Sequence, residues 1–228
     1  MMKSIMSLFR KLKYKERYSS ETFVEYLRNK GIEIGEGVRF FDPKNTVVDT
    51  QNPHMLKIGD NVRITRGTTI LTHDYSWSVI AGKYHEVLGG IGKVKIGNNV
   101  FIGVHSIILK NSIIGDNVII GAGSIVSGVI ESDSVYAGAP CKKIMTLDDF
   151  YKKRKSLQMQ EYESIVKELE QKGASKEKIQ KATLEYFSVA VDQGEKLAPE
   201  ILELIKRTGY YNEIISKWEN EGLYDCES

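Results

Sequence analysis

The chain has 228 residues, 41% of them apolar and 27% charged, with a formal net charge of +2. These are the proportions of an ordinary globular chain, long enough for one large domain or for a domain with an appendage, and the near-balanced charge excludes the broad basic face of a nucleic-acid binder. The two cysteines, Cys141 and Cys226, are too few for a disulfide framework, no run of about 18 apolar residues predicts a spanning helix, and the basic N-terminus lacks the apolar core and cleavage site of a secretory signal, so the expected setting is the cytoplasm.

Residues 1–31 read as helical. Ile5, Leu8, Phe9 and Leu12 share one face among Lys3, Arg10, Lys11 and Lys13, and residues 1–18 carry a net charge of +5. An amphipathic basic stretch of this kind can pack on a neighbour or make a weak contact with an anionic membrane surface. A second stretch, Glu21 to Lys30, places Phe23, Tyr26 and Leu27 at i, i+3, i+4 spacing, with Gly31 as its closing residue.

From residue 32 to 145 the pattern changes to a beat of six. Ile58, Ile64 and Ile70 form a first run, and Ile96, Ile102, Ile108, Ile114, Ile120 and Val126 a second. Four places after each beat stands a small or β-branched residue, as at Val62, Thr68, Val100, Ser106, Ser112, Val118 and Ser124. Six residues make one short strand and a turn, and three such units make an 18-residue coil of triangular section, the signature of a hexapeptide β-helix. The beat residue points inward and stacks on its counterpart in the next coil, about 4.8 Å away. Gly59, Gly97, Gly103, Gly115 and Gly121 follow the beat and relieve crowding at a corner, while Asp60-Asn61, Asn98-Asn99 and Asp116-Asn117 suit the turns themselves. Pro43, Asn45, Asn52 and Pro53 make the first coil less regular.

Between Ile70 and Ile96 about 20 residues leave the stack, roughly residues 75–94. The segment holds Trp77, Tyr84, His85 and a Gly89-Gly90-Ile91-Gly92 run, and it is too apolar for a solvated loop. It is expected to be a folded arm that packs on another subunit or walls a site, with Trp77 and His85 toward an acceptor. His73, in Ile70-Leu71-Thr72-His73-Asp74-Tyr75, is the last histidine before the chain departs, where rigid coils hold a side chain that can serve as a general base. His105 reads as an outward corner residue and His54 belongs to the irregular first coil. The four histidines are separated by 19, 12 and 20 residues, without the short spacing typical of zinc ligands, so no metal is expected. Cys141 has Lys142 and Lys143 beside it but no histidine nearby in sequence, which disfavours an acyl-cysteine.

The last coil carries Ile120-Gly121-Ala122-Gly123-Ser124-Ile125-Val126-Ser127, then Ala137-Gly138-Ala139-Pro140-Cys141-Lys142-Lys143. Its small residues are expected to leave backbone amides uncovered for a narrow linear ligand such as a pantetheine arm, and its lysines suit phosphate. From residue 146 to 228 the beat is gone. Thr146-Leu147-Asp148-Asp149 resembles a capping box, a helix is expected to about Lys172, and Ser175, Pro199 and Gly209 open or separate further helices.

The repeat, the Ile70–Asp74 segment, the insertion and the following Ile96-Gly97-Asn98-Asn99-Val100-Phe101-Ile102-Gly103 resemble the hexapeptide-repeat acetyltransferases, in the branch that acts on galactosides, maltose and bacterial polysaccharides. The resemblance covers roughly residues 32–145. It implies a left-handed parallel β-helix flanked by N-terminal helices and a C-terminal α-helical extension, assembled as a homotrimer with sites between subunits. It implies acetyl-CoA as acyl donor, His73 as catalytic base, Val104, Ala122, Ser127 and Lys142 in contact with CoA, and Asp49 in contact with the acceptor sugar. Where many members have Thr-Lys-Asp-Ile-Pro, this chain has Ser127-Gly128-Val129-Ile130-Glu131. The expected function is O-acetylation of a sugar hydroxyl of a capsular or other surface polysaccharide or its precursor. N-acetylation of an amino or nucleotide sugar or of a small amine, and a non-catalytic scaffold, are the alternatives.

Overall fold

A six-residue beat of aliphatic side chains becomes a three-sided prism when each beat residue points to a common axis. In the computed structural model, which describes residues 13–179 and residue 182, this is the arrangement found. The first face stacks Glu33–Ile34, Leu56–Ile58, Val94–Ile96, Ile113–Ile114 and Val129–Ile130; the second stacks Arg39–Phe40, Arg63–Ile64, Val100–Ile102, Val118–Ile120, Ser134–Ala137 and Lys142–Thr146; the third stacks Val47–Val48, Thr69–Ile70, Ile107–Ile108 and Ile125–Val126. Neighbouring strands on each face run parallel, except that Lys142–Thr146 closes the second face antiparallel to Ser134–Ala137.

All nine beat residues are at most 1% exposed, and all seven small or β-branched residues four places later are equally buried. The core is therefore two residues per six, stacked in register: Ile102 lies over Ile120, and Ile108 over Val126. The irregular first coil is a full member of the stack, since Ile34 pairs with Ile58, Phe40 with Ile64 and Val48 with Ile70. Ile58 in turn pairs with Ile96 and Ile70 with Ile108, so the insertion leaves the prism and returns without shifting the register.

The corners explain the glycines and the Asx residues separately. A Cβ on Gly97 would stand 2.6 Å from the carbonyl oxygen of Gly115 in the next coil, so this glycine serves a close approach of two backbones. The left-handed conformations fall instead on Asn61, Asn99 and Asn117, each at a φ near the αL well. Their side chains form a ladder, with Asn99 Nδ2 donating to Asn117 Oδ1 at 2.8 Å and Asn117 Nδ2 to Asp133 Oδ1 at 2.9 Å.

An α-helix, Ser20–Asn29, covers one end of the prism. Ser19 caps it, accepting from the Thr22 amide at 3.3 Å, and Phe23, Val24 and Leu27 are buried, with the Phe23 ring edge-on to Phe40 at 4.9 Å. Of the basic stretch expected over residues 1–18, residues 1–12 lie outside the described residues, and Lys15–Arg17 form a short 3-10 turn. The chain divides into two units, Met1–Tyr151 and Lys152–Ser228. A helix, Leu147–Gln171, begins where Thr146 Oγ1 accepts from the Asp149 amide at 3.1 Å, and Gly173 follows it at φ +66. The helices expected around Pro199 and Gly209, and Cys226, lie outside the described residues. Among the described residues no helix is long and apolar enough to cross a membrane.

Candidate active site

The corner that joins the third face to the first gathers the chemistry. Asp49 follows Val47–Val48 there, Thr72 and His73 follow Thr69–Ile70, Lys110 follows Ile107–Ile108, and Ser127 follows Ile125–Val126. Coil stacking brings Asp49 and His73 together although 23 residues separate them in the chain. His73 Nδ1 lies 2.5 Å from Asp49 Oδ2. The same oxygen accepts from the Thr72 amide at 3.0 Å and the Thr72 hydroxyl at 2.5 Å, and Oδ1 accepts from the Gln51 amide at 2.9 Å.

Burial alone pushes the Asp49 carboxyl up, but the bonds from Thr72, Gln51 and His73 outweigh it and hold the group below the usual carboxylate range. A carboxylate can only accept, so the Nδ1–H of His73 donates to it. In the neutral ring this selects the tautomer whose lone pair is on Nε2, the arrangement of an imidazole oriented by a carboxylate. The Asp49 side chain is only 3% exposed and that of His73 27%, so Asp49 stands behind the imidazole and His73 faces outward. The acceptor contact expected of Asp49 from the resemblance is thus not where the structure puts this carboxylate.

The sign of the Asp49 effect on stability follows from the lowered carboxyl. A depressed folded value adds stability above the ordinary carboxylate range, near 3.9 for an exposed Asp. That stability is lost as pH falls through the folded value. The expected result for Asp49→Asn is a shallower loss of melting temperature than the wild type on acidification from pH 7 to pH 3, measured by thermal denaturation. Its kcat is expected to fall roughly 10²–10⁴-fold, because an amide can present its N–H to the ring and select the wrong tautomer.

Immediately after His73 the chain leaves the prism. The arm stands on two feet, Thr72–Asp74 and Gly90–Gly92, joined by an antiparallel bridge between His73 and Ile91 and by bonds from the Asp74 amide to the Gly90 carbonyl (3.0 Å) and the Gly92 amide to the Thr72 carbonyl (2.8 Å). Between the feet runs a helix, Trp77–Tyr84. Asp74 starts it, accepting from the Ser76 amide at 3.0 Å and the Ser76 hydroxyl at 2.5 Å, while its other oxygen pairs with Lys110 Nζ at 2.5 Å. The Lys110 ammonium and the Ser76 donors hold the Asp74 carboxyl well below the usual range. His85 ends the helix in a left-handed conformation at φ 58, exposed.

Between the arm and the corner lies a cleft of about 450 Å³ lined by His73, Asp74, Tyr75, Trp77, Gln51 and Asn52 among others. The structure therefore brings His73 and Trp77 to one cavity and places His85 outside its lining. Sequence reasoning missed Tyr75, Gln51, Asn52 and the Asp74–Lys110 pair. The Asp-x-Ser spacing before an apolar run was a readable signal for the helix start, whereas nothing in the order of residues ties Lys110 to Asp74.

The residues expected to meet CoA fall on two corners. Val104 and Ala122 are exposed in successive coils at the corner that precedes the third face, and Ser127 is exposed at the corner that follows it. Gly123 and Gly128, beside Ala122 and Ser127, have nothing within 4 Å of a Cβ position, so a slender ligand has room against both. The expectation of uncovered amides needs correction: the Gly121 amide donates to Tyr136 and the Gly123 amide to Val104, both at 2.8 Å, because the ladder between coils uses them. Lys143 pairs with Glu131 at 2.6 Å, while Lys142 is exposed and has no ion-pair partner among the described residues. His105 is an exposed corner residue at φ 58, matching Gly67 and Gly123 in the coils on either side. Among the described residues no three His, Cys, Asp or Glu side chains gather as a metal site.

Comparison with known proteins adds four findings. The family model for bacterial transferase hexapeptide (six repeats) matches residues 93–128. Protein CapG of Staphylococcus aureus is 34% identical over 139 residues, covering 61% of this chain and 78% of that protein. Galactoside O-acetyltransferase of Escherichia coli (strain K12) is 38% identical over 125 residues, covering 52% of this chain and 57% of that enzyme. A solved galactoside acetyltransferase in complex with coenzyme A is 26% identical, covering 65% of this chain and 82% of that one, with a TM-score of 0.43. With the repeat matched by its family model, the three-faced stack visible in the coordinates, and a relative aligned over most of its length, the chain belongs to the hexapeptide-repeat acetyltransferases.

Proposed function

We propose that the protein transfers an acetyl group from acetyl-CoA to a sugar hydroxyl, of a capsular or other surface polysaccharide or of its precursor, with His73 as general base. The observation that carries this reading is the His73–Asp49 pair at 2.5 Å on the wall of a cleft. A sugar hydroxyl is a poor nucleophile at neutral pH, and a positioned base contributes about 10²–10⁴-fold. Nε2 of His73 takes the hydroxyl proton as the oxygen attacks the thioester carbonyl. The new C–O bond replaces the C–S bond, and the departing CoA sulfur receives the proton. The carbonyl oxygen turns negative on the way and is stabilised by a backbone N–H of a neighbouring coil. Val104, Ala122 and Ser127 line the path of the pantetheine arm, and the free ammonium of Lys142 meets a CoA phosphate. The trimeric assembly of the family lets these two corners, on different subunits, face one site.

No covalent acyl-enzyme enters this scheme. Burial of Cys141 pushes its thiol up, away from the thiolate that a nucleophile requires. Initial rates with both substrates varied are expected to give intersecting lines, and intact-protein mass spectrometry after exposure to acetyl-CoA alone is expected to show no acetyl adduct. Parallel lines together with an acetylated Cys141 would contradict direct transfer.

A further inference from the structure

The two feet of the arm are gripped from the next coil. Pairing of Thr69–Ile70 with Ile107–Ile108 sets the corner after Ile108 against the corner after Ile70. Lys110 and Asn111 occupy the former, and each meets a different foot. Lys110 Nζ pairs with Asp74 Oδ2 at 2.5 Å. Asn111, in a left-handed conformation at φ 65, lies against Gly92, where a Cβ would stand 2.6 Å from Asn111 Cγ. Glycine at 92 thus serves the close approach of the second foot to the Asn111 carboxamide. Two neighbouring residues of one coil hold both the point where the chain leaves the prism and the point where it returns.

The grip matters because His73 is part of the first foot. Asp49 aligns the imidazole from the preceding coil, but the main chain of His73 is set by its bridge to Ile91 in the second foot. The arm does not anchor itself, since none of the eight residues of the helix Trp77–Tyr84 is buried. Asp74 joins the parts: Oδ1 accepts from Ser76 at the helix start, and Oδ2 meets Lys110. A shift of either foot moves Nε2 relative to a reacting hydroxyl, and an error of about 1 Å at such a position costs about 10²-fold. Both side chains of the Asp74–Lys110 pair are partly exposed, so the pair adds little to global stability. Its effect is local, on a segment with few buried contacts.

We propose that Lys110 and Asn111 are positioning residues, which clamp the two feet of the arm through Asp74 and Gly92 and so hold the main chain of His73 where its ring can act as the base. This deepens, and rests on, the reading of the protein as an acetyltransferase with His73 as general base. The base then has two supports, Asp49 for the ring from the coil before and Lys110 with Asn111 for the backbone from the coil after.

The test compares Lys110→Met, Lys110→Arg and Gly92→Ala with the wild type. Lys110→Met is expected to speed hydrogen exchange about fivefold at the Asp74 and Gly92 amides, which bond across the feet, and to leave the Thr69 amide of the prism unchanged. It is expected to lower kcat about fivefold or more, read on the pH plateau so that protonation of His73 does not enter, with KM for acetyl-CoA within about twofold. Its melting temperature should stay within about 2 °C of the wild type. Lys110→Arg, which can pair with Asp74 again, is expected to restore both readings, and Gly92→Ala, which drives a methyl into the Asn111 carboxamide, to match Lys110→Met. Unchanged exchange at both amides in Lys110→Met and Gly92→Ala overturns the clamp and leaves the acetyltransferase intact. Faster exchange with a smaller loss of kcat overturns the positioning role. A raised KM for acetyl-CoA with kcat kept places Lys110 on the donor and overturns that role as well. A wild type that acetylates no hydroxyl overturns the acetyltransferase reading and the positioning role with it, while exchange at the two amides still decides the clamp.

Discussion

Replacing His73 by Ala is expected to lower kcat about 10²–10⁴-fold, equivalent to roughly 3–5.5 kcal/mol on the barrier. The fold should survive the change. His73 is at the surface of a corner, outside the stacked core, and the Asp49 carboxylate keeps its bonds from Thr72 and Gln51 when the imidazole is gone. CoA recognition, proposed for Val104, Ala122, Ser127 and Lys142, should be untouched. The expected signature is therefore a collapse of kcat with KM for acetyl-CoA and the CoA-induced rise in melting temperature both retained. His73→Asn sharpens the test. Its amide can still donate to Asp49 but is no base, so it should be as inactive as the alanine variant and at least as stable. A His73→Ala enzyme with near-normal turnover would remove the residue from the mechanism.

The second large effect belongs to the core. Ile108 is 0% exposed and pairs in register with Ile70 on one side and Val126 on the other. Ile108→Ala leaves a void between two coils that are tied by backbone bonds above and below and cannot close on it. The expected cost is about 2–5 kcal/mol, a drop in melting temperature of about 4–20 °C for a chain of this size. Lys95, on the first face, is the control: it points outward between two buried neighbours in Val94–Ile96. Lys95→Ala should stay within about 0.5 kcal/mol. Repeat architectures pass stability between neighbouring units, so the loss at Ile108 should also loosen the coil that carries His73. Hydrogen exchange at Thr69–Ile70 and Ile125–Val126 measures that transmission.

What could be read in advance, and what could not, divides along one physical line. Positions that face the axis obey a local rule, since strand and turn recur every six residues, so the beat from Ile58 to Val126 declared both the fold and its core. The corner Asx pairs were equally legible, because asparagine tolerates the left-handed turn better than most side chains. The glycines were assigned to the right place, and the coordinates supply the reason at Gly97 as contact between coils rather than turn geometry. The site was legible only as an address. His73 was singled out because the chain departs there, yet its partner lies in the irregular first coil, where Val48 pairs with Ile70 at an offset no six-residue count delivers. The resemblance put Asp49 on the acceptor, and the structure sets it behind His73. The arm shows the same limit. Its apolar character was visible, but the ion pair of Asp74 with Lys110 and the cleft shared by Tyr75, Gln51 and Asn52 depend on how coils stack around an insertion. His85 lies in the same arm and ends a helix outside the cleft for that reason.

The most direct measurement of the central claim is a product analysis with the wild-type enzyme. Acetyl-CoA and a panel of glycosides, UDP-sugars and amines are incubated with it, thiol release is followed, and the acetyl position is read by NMR. The account predicts one free CoA thiol for each O-acetyl ester formed on a sugar ring, with both signals lost in His73→Ala. An acetyl group found only on nitrogen, or thiol release no faster than hydrolysis with every hydroxyl acceptor, would contradict it.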